Sequence, residues 1–500
     1  LTDAQMAQLT SDIVWLIEKE VGLPDGSRQK VLVPQLYVRV QPGDLVGSGA
    51  LLAGQSVNFN LSGDLINNAT IAGRDIVSLT ADNISNLGGR ISSNNTAVSA
   101  RGDFENIDGR IEGGDSLVVN AGRDLEVIST TNTTTSTAGA NSTSRTTLNR
   151  IAGLFVTNPE GILVASAGND VRLIAAQVLN TGSNGRTLID AGRDLTLGTV
   201  TVATQDHLIW DSENRQSRSS SQEVGTTVQT AGNLTLNARR DLTARAAEVA
   251  SAQGAIAALA GGDLTIEAGQ ATQTLDETHQ RKSNEGFLSS TTTRTRDTFY
   301  ETTAVASSFS GSTVNLTATD NLNLIGSNLY AVGDMLLRAE KDINILAAQE
   351  TTSSSHYSET IKTANGLGRV TGVAAIAFGG AFGLGGLAAA GSFGLPLLIP
   401  SSNQETAQQT TTTLVGSTLS AGTIEMISGQ DTTVSASKIV AEKDVAIHAK
   451  RNLNILSAEQ TQTTASMSKS KTVGFIGSWS QPAIGVAKQK LTEDTATITQ

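Results

Sequence analysis

The sequence predicts an all-β fold, a right-handed parallel β-helix with inserted polar or glycine-rich loops, on three observations. First, Asn83-Ile84-Ser85-Asn86-Leu87-Gly88-Gly89-Arg90-Ile91 returns twenty residues later as Asp103-Phe104-Glu105-Asn106-Ile107-Asp108-Gly109-Arg110-Ile111, so Ile71, Ile91 and Ile111 open equivalent units. A period of roughly 20 residues marks a stack of repeats rather than a set of independent domains. Second, apolar and polar residues alternate between these phrases, as in Leu234-Thr235-Leu236-Asn237-Ala238 and Val314-Asn315-Leu316-Thr317-Ala318, the period-two pattern of half-buried strands. Third, 38% of the 500 residues are hydrophobic but only 3% are aromatic, which suits a narrow lumen lined by small side chains. One unit of two or three short strands cannot bury its inner face alone. Stacked units at about 4.8 Å per rung bury it against each other, and the parallel crossover between rungs is right-handed.

The elements follow in chain order. In residues 1–45, Thr2 with Gln5 resembles a capping box, and Leu9, Ile13, Leu16, Ile17 and Glu20 have the spacing of a short amphipathic helix. Pro24-Asp25-Gly26-Ser27 is a turn signal before a strand-like stretch from Lys30 to Val40, so a helix plus hairpin forms a cap or joint. Residues 46–269 read as rungs, with polar excursions near 129–147 and 212–227. Ala-Gly-Arg-Asp followed by Ile or Leu marks the units at Ala72 to Ile76, Ala121 to Leu125 and Ala191 to Leu195, with variants at 167–171 and 260–264. An insertion is expected at 270–310, rungs at 311–350, a second insertion at 351–413, rungs at 414–458, and a polar segment at 459–500 that leads into further chain. The later excursions each carry a Gly-plus-apolar phrase: Gly286-Phe287-Leu288, Gly366-Leu367-Gly368 and Gly474-Phe475-Ile476-Gly477. Asn67, Asn86 and Asn106 recur near one corner, either as a ladder of stacked amides or as three independent turn residues.

Composition restricts the chemistry. With 35 basic and 47 acidic side chains the net charge is −12, which argues against a nucleic-acid partner, whose phosphates need clustered Lys and Arg. There is no Cys, hence no disulfide, thiolate metal site or Cys nucleophile. Asp75, Asp124, Asp194 and Asp263 repeat with the rungs, as Asx turns do, whereas a catalytic site is a local exception to a repeat. His207, His279, His356 and His448 lack metal-ligand spacing. No residue is nominated as catalytic, metal-binding or cofactor-binding, and no cofactor is expected. The unusual segment is 371–400, uncharged and rich in Gly and Ala. It is read either as a membrane-engaging stretch or as a loop folded back on the solenoid. In the first reading the engaging side chains are Phe378, Phe382, Leu384, Leu387, Phe393, Leu395, Leu397, Leu398 and Ile399.

The Ala-Gly-Arg-Asp-Leu phrases, the Asn-Ile-Ser-Asn-Leu-Gly-Gly-Arg-Ile unit and the Gly-Ser-Thr openings at Gly311 and Gly416 resemble the haemagglutinin repeats of filamentous haemagglutinin and of contact-dependent growth inhibition proteins. Leu9-Thr10-Ser11-Asp12-Ile13-Val14-Trp15 and Val31-Leu32-Val33-Pro34-Gln35 resemble the segment preceding the second repeat region of the inhibition proteins. The resemblance covers nearly the whole chain. It implies a secreted, cell-surface exoprotein of a Gram-negative bacterium, exported through an outer-membrane two-partner-secretion transporter. It further implies a β-helical stalk, non-catalytic, that engages a target-cell outer membrane or surface receptor in adhesion or toxin delivery; a passive spacer is the alternative, and a carbohydrate-active β-helix enzyme stands behind both. A signal peptide, the N-terminal secretion domain, a Val-Glu-Asn-Asn boundary and a toxin domain are not seen in these residues. The chain opens at Leu1 and is expected to be a piece of a longer protein.

Overall fold

The computed structural model describes residues 13–22, 28–37, 49–284, 289–364, 401–475 and 484–499. Between residues 49 and 456 the described residues outside the hairpins wind as a right-handed parallel β-helix. Among the described residues twelve short strands, from Leu65–Asn67 to Leu453–Leu456, stack in strict chain order as one parallel sheet. The rest of each rung supplies the other walls. In the first rungs this is a single long strand, as in Thr70–Ala81, Arg90–Ala100 and Arg110–Ala121. Arg110–Ala121 then pairs with two strands, Gly153–Val156 and Ile162–Ala167, and later rungs keep that division.

Alternation places one column of apolar side chains above another. Ile71, Ile91, Ile111, Leu154, Val178, Val228, Val249, Phe309, Leu329 and Leu419 are partners in successive rungs, and none is more than 6% exposed. Each rung thus completes the core of its neighbours, the energetic basis of a solenoid.

The inward column of the short-strand wall begins with Asn67, Asn86 and Asn106 and continues as Val127 and Leu173. The asparagines form a ladder. Asn67 Nδ2 donates to Asn86 Oδ1 at 2.7 Å and Asn86 Nδ2 to Asn106 Oδ1 at 2.7 Å, while Asn86 and Asn106 also donate to the carbonyls of Gly89 and Gly109.

The excursions, expected as loops, are strands. Among the described residues five antiparallel hairpins leave the same corner and pair with one another in a second sheet of ten strands, a fin along the solenoid. They are Thr131–Ala138 with Asn141–Leu148, Val200–Ile209 with Arg215–Val224, Gly269–Asn284 with Ser289–Val305, Ala348–Ala364 with Ser401–Val415, and Gln460–Phe475 with Ile484–Thr499. Thr-rich runs take this form because β-branched Thr fits the pleated surface and hydroxyls pair across strands. The second excursion accordingly spans 200–224 rather than 212–227. Hairpins follow the fourth, sixth, eighth, tenth and twelfth short strands. From the second rung on, the rungs between them turn the same corner through one residue of positive φ: Gly88, Asp108, Ala175, Ala246, Gly326 and Ala436.

The expected N-terminal helix is a correction. Ile13–Gly22 is a strand, paired with Arg28–Tyr37 from Ile13↔Tyr37 to Gly22↔Arg28. Ile13, Val14, Trp15, Ile17 and Val21 favour the extended chain, and the partner strand satisfies its backbone, with Lys30 and Glu18 paired across it at 3.3 Å. The turn signal at 24–27 lies outside the described residues.

Candidate functional site

The repeated carboxylates are consumed by the architecture. At the turn before each short strand an Asp or Asn accepts the backbone N–H of its counterpart one rung on: Asp124 from Asp170 at 3.2 Å, Asp170 from Asp194 at 3.2 Å, Asp194 from Asp241 at 3.2 Å and Asp263 from Asn321 at 2.9 Å. Carboxylates stacked at rung spacing repel, and an Arg from the following rung offsets this. Arg123 clamps Asp103, Arg193 clamps Asp170, Arg240 clamps Asp194, and Arg451 clamps Asp431 through two bonds of 2.7 and 2.8 Å. These are bidentate, charge-assisted contacts. The Arg193 hydrogen bond holds the Asp170 carboxyl below the ordinary range, and Arg451 does the same for Asp431. Asp75 is not part of this ladder; its carboxylate accepts from Gln55 Nε2 at 2.8 Å.

Where the hairpins meet the solenoid, buried hydroxyls close the backbone. Ser129 Oγ donates to Ala175 O at 2.6 Å, Thr226 Oγ1 to Leu173 O at 2.6 Å, Ser307 Oγ to Glu267 O at 2.7 Å and Ser417 Oγ to Leu346 O at 2.8 Å. All four residues are fully buried. Arg245 ties fin to stalk, reaching Glu223 of the second hairpin at 2.7 Å and Glu267 of the next rung at 3.0 Å, and the Glu223 hydrogen bond raises its pKa further.

The fin itself has two open faces. On one, hydroxyl pairs bridge adjacent strands, Ser219 with Thr274 at 2.6 Å, Thr298 with Ser355 at 2.7 Å and Ser353 with Thr410 at 3.1 Å, and Arg296 grips Asp276 at 2.8 Å. On the other, His356 Nδ1 meets Asp297 Oδ1, and a shallow groove crosses five strands between Leu275, Phe299, Ala407 and Thr464. The His279 ring lies 5.9 Å from that of Trp210. The four histidines do not converge. Among the described residues no group of three or more His, Asp or Glu is arranged to hold a metal ion.

Phe378, Phe382, Leu384, Leu387, Phe393, Leu395, Leu397, Leu398 and Ile399 lie outside the described residues. The strands on either side of them pair as far as Lys362↔Ser401, at the end of the fourth hairpin remote from the solenoid. Among the described residues no helix is long and apolar enough to cross a membrane. Sequence reasoning missed the arginine clamps, although the Arg directly before the repeated Asp was their signal.

Repeated carboxylates spent on the stack, and a fin of hairpins at fixed intervals, define a repeat solenoid with side-mounted hairpins. Comparison with known proteins places it further. A family model described as "Hemagglutinin repeat" matches residues 156–286, 288–389 and 400–490, and the chain belongs to that family. It is 25% identical over 469 residues to a protein named tRNA nuclease CdiA-2 from Burkholderia pseudomallei, covering 93% of this chain and 13% of that protein. It is 26% identical over 520 residues to 16S rRNA endonuclease CdiA from Enterobacter cloacae, covering 89% and 15%. A third relative, Toxin CdiA from Yersinia pestis, is 26% identical over 505 residues, covering 100% and 14%. The chain therefore spans a small fraction of the length of these relatives. No solved structure matches it.

Proposed function

We propose that this chain is a non-catalytic stalk segment of a large exported surface protein, exported through an outer-membrane two-partner-secretion transporter. Its role is to carry the fin against a target-cell outer membrane or surface receptor, in adhesion or in contact-dependent toxin delivery. The observation that carries the reading is the fin: five hairpins held at every second rung, so that the three longest present their far ends along one edge. Relatives named as nucleases and toxins, of which this chain matches 13% to 15%, fit a segment that delivers an activity housed elsewhere. The uncharged segment 371–400, with Phe378, Phe382, Leu384, Leu387, Phe393, Leu395, Leu397, Leu398 and Ile399, is the candidate membrane-engaging part. The test is flotation of the purified chain with Gram-negative outer-membrane vesicles, with and without Thr371 to Pro400. Binding that requires the segment supports delivery; absence of binding by either form makes the chain a spacer.

A further inference from the structure

The outer part of one fin face carries a charge opposite in sign to the whole chain. Cross-strand register aligns two ranks there. One runs Gln280, Arg294, Glu359, Gln404, Lys469, Lys490, and the next, nearer the hairpin ends, runs Lys282, Thr292, Ile361, Ser402, Lys471, Lys488. Six of these twelve residues are basic and one is acidic, in a chain of net charge −12. Glu359 already faces Arg294 at 3.5 Å. Lys469, Lys471, Lys488 and Lys490 are exposed, and among the described residues no carboxylate lies within ion-pair distance of them. Register sets Lys469 directly against Lys490 and Lys471 directly against Lys488, an arrangement that costs stability in a sheet. Lysines on an edge strand guard against stray pairing, which would account for Lys488 and Lys490. It does not account for Lys469 and Lys471, whose strand is paired on both sides.

Extending this membrane-facing reading, we infer that this basic band binds the phosphates of an anionic lipid surface. The band crosses six strands and is therefore about 24 Å wide, a breadth that meets many headgroups at once rather than enclosing one small anion. Beyond the lysine pairs the register positions turn apolar, Val473 against Val486 and Phe475 against Ile484, and Val486 is half exposed. Apolar positions succeeded by a row of lysines is the profile of a segment seated at a bilayer interface.

The experiment is co-sedimentation of the full chain with vesicles of phosphatidylcholine alone and of an equimolar phosphatidylcholine–phosphatidylglycerol mixture, at low and high salt. The wild type is expected to bind only the anionic vesicles and to release at high salt. Each Lys→Gln change is expected to weaken binding about five-fold; Lys469→Gln, Lys471→Gln, Lys488→Gln and Lys490→Gln together lower it by more than a hundred-fold, whereas four Lys→Arg changes preserve it. Equal binding to both vesicle types, or a glutamine variant that retains its circular dichroism and binds as tightly as wild type, overturns the inference. So does retention on heparin without vesicle binding. The variant lacking Thr371 to Pro400 separates the two proposals. Anionic-vesicle binding that survives that deletion but not the glutamine changes supports the band alone, and the reverse pattern rejects the band while leaving the membrane-engaging segment standing.

Discussion

Asn86→Val is the sharpest probe of the core, because the ladder makes an unusual demand on additivity. Asn86 is fully buried, and a valine fills nearly the volume it vacates. The substitution leaves Asn67 Nδ2 and Asn106 Oδ1 without the partners they meet at 2.7 Å. Each orphaned buried polar atom costs about 1–3 kcal/mol, so the single change is expected to cost about 2–6 kcal/mol. Replacing all three, Asn67→Val, Asn86→Val and Asn106→Val, removes both ends of each amide pair. The Gly89 and Gly109 carbonyls still accept from Arg110 N at 2.9 Å and Gly153 N at 3.0 Å, and the column then continues the apolar one that begins at Val127. Only the part-buried Ala69 N, which donates to Asn67 Oδ1 at 3.1 Å, is left to water, and the triple variant is thus expected to lie within about 2 kcal/mol of wild type, above the single variant. Urea unfolding followed by circular dichroism measures this. Hydrogen exchange over Ile84–Leu87 and Phe104–Ile107 locates it. A triple variant that loses the sum of three single losses would refute the ladder as a mutually satisfied unit.

Two further predictions rest on the turns. Ala175, Ala246 and Ala436 hold φ of 46°, 46° and 45°, a region that disfavours residues with a Cβ. Each Ala→Gly change there is expected to raise the unfolding free energy by about 0.5–1 kcal/mol in the same urea assay, and a loss of stability would contradict the strain argument. The Asp ladder sets the acid response. The folded carboxyls of Asp170 and Asp431 titrate below their unfolded values, so their contribution is complete above the ordinary carboxylate pKa of about 4 and disappears as pH falls through the depressed values. The urea midpoint is expected to drop between pH 6 and pH 3, and the drop is expected to be smaller in Arg193→Gln with Arg451→Gln; equal drops in both proteins would count against the clamps.

What was legible in the sequence is what repeats against contrast. Ile71, Ile91 and Ile111 announced the rungs because an apolar residue at a fixed interval has one explanation, a shared core. The same logic misled at Ala72-Gly73-Arg74-Asp75-Ile76, whose residues match the turn phrase at Ala121 to Leu125. It lies instead within the strand Thr70–Ala81, where the register shifts between Ala72 and Ile76. A Cβ on Gly73 would sit 2.3 Å from Ile76 O, so the glycine serves a close backbone approach there and not a corner. Five residues do not say which corner of a rung they occupy. The hairpins were illegible for a different reason. Both faces of the fin are largely polar, so runs such as Thr131–Ala138 and Arg215–Val224 show no alternation of apolar and polar residues and resemble low-complexity loops. The basic band was harder still, since Lys282 and Lys490 fall in one belt only through the register of three hairpins.

The placement of those hairpins follows from pitch. A rung advances the solenoid by about 4.8 Å, and each strand of a sheet occupies the same distance in its stacking direction. A hairpin has two strands and so consumes the rise of two rungs. Hairpins on consecutive rungs would demand twice the available rise and splay; hairpins on every third rung would leave unpaired edges between them. Insertion at every second rung is the spacing at which fin and stalk advance together, and it is the spacing found from the fourth rung to the twelfth. The same condition frees the outer ends. Hairpin strands lengthen from 8 residues in Thr131–Ala138 to 17 in Ala348–Ala364 without altering the rungs beneath, because length runs perpendicular to the shared rise. A solenoid built this way can vary its fin's edge while its stalk stays the same.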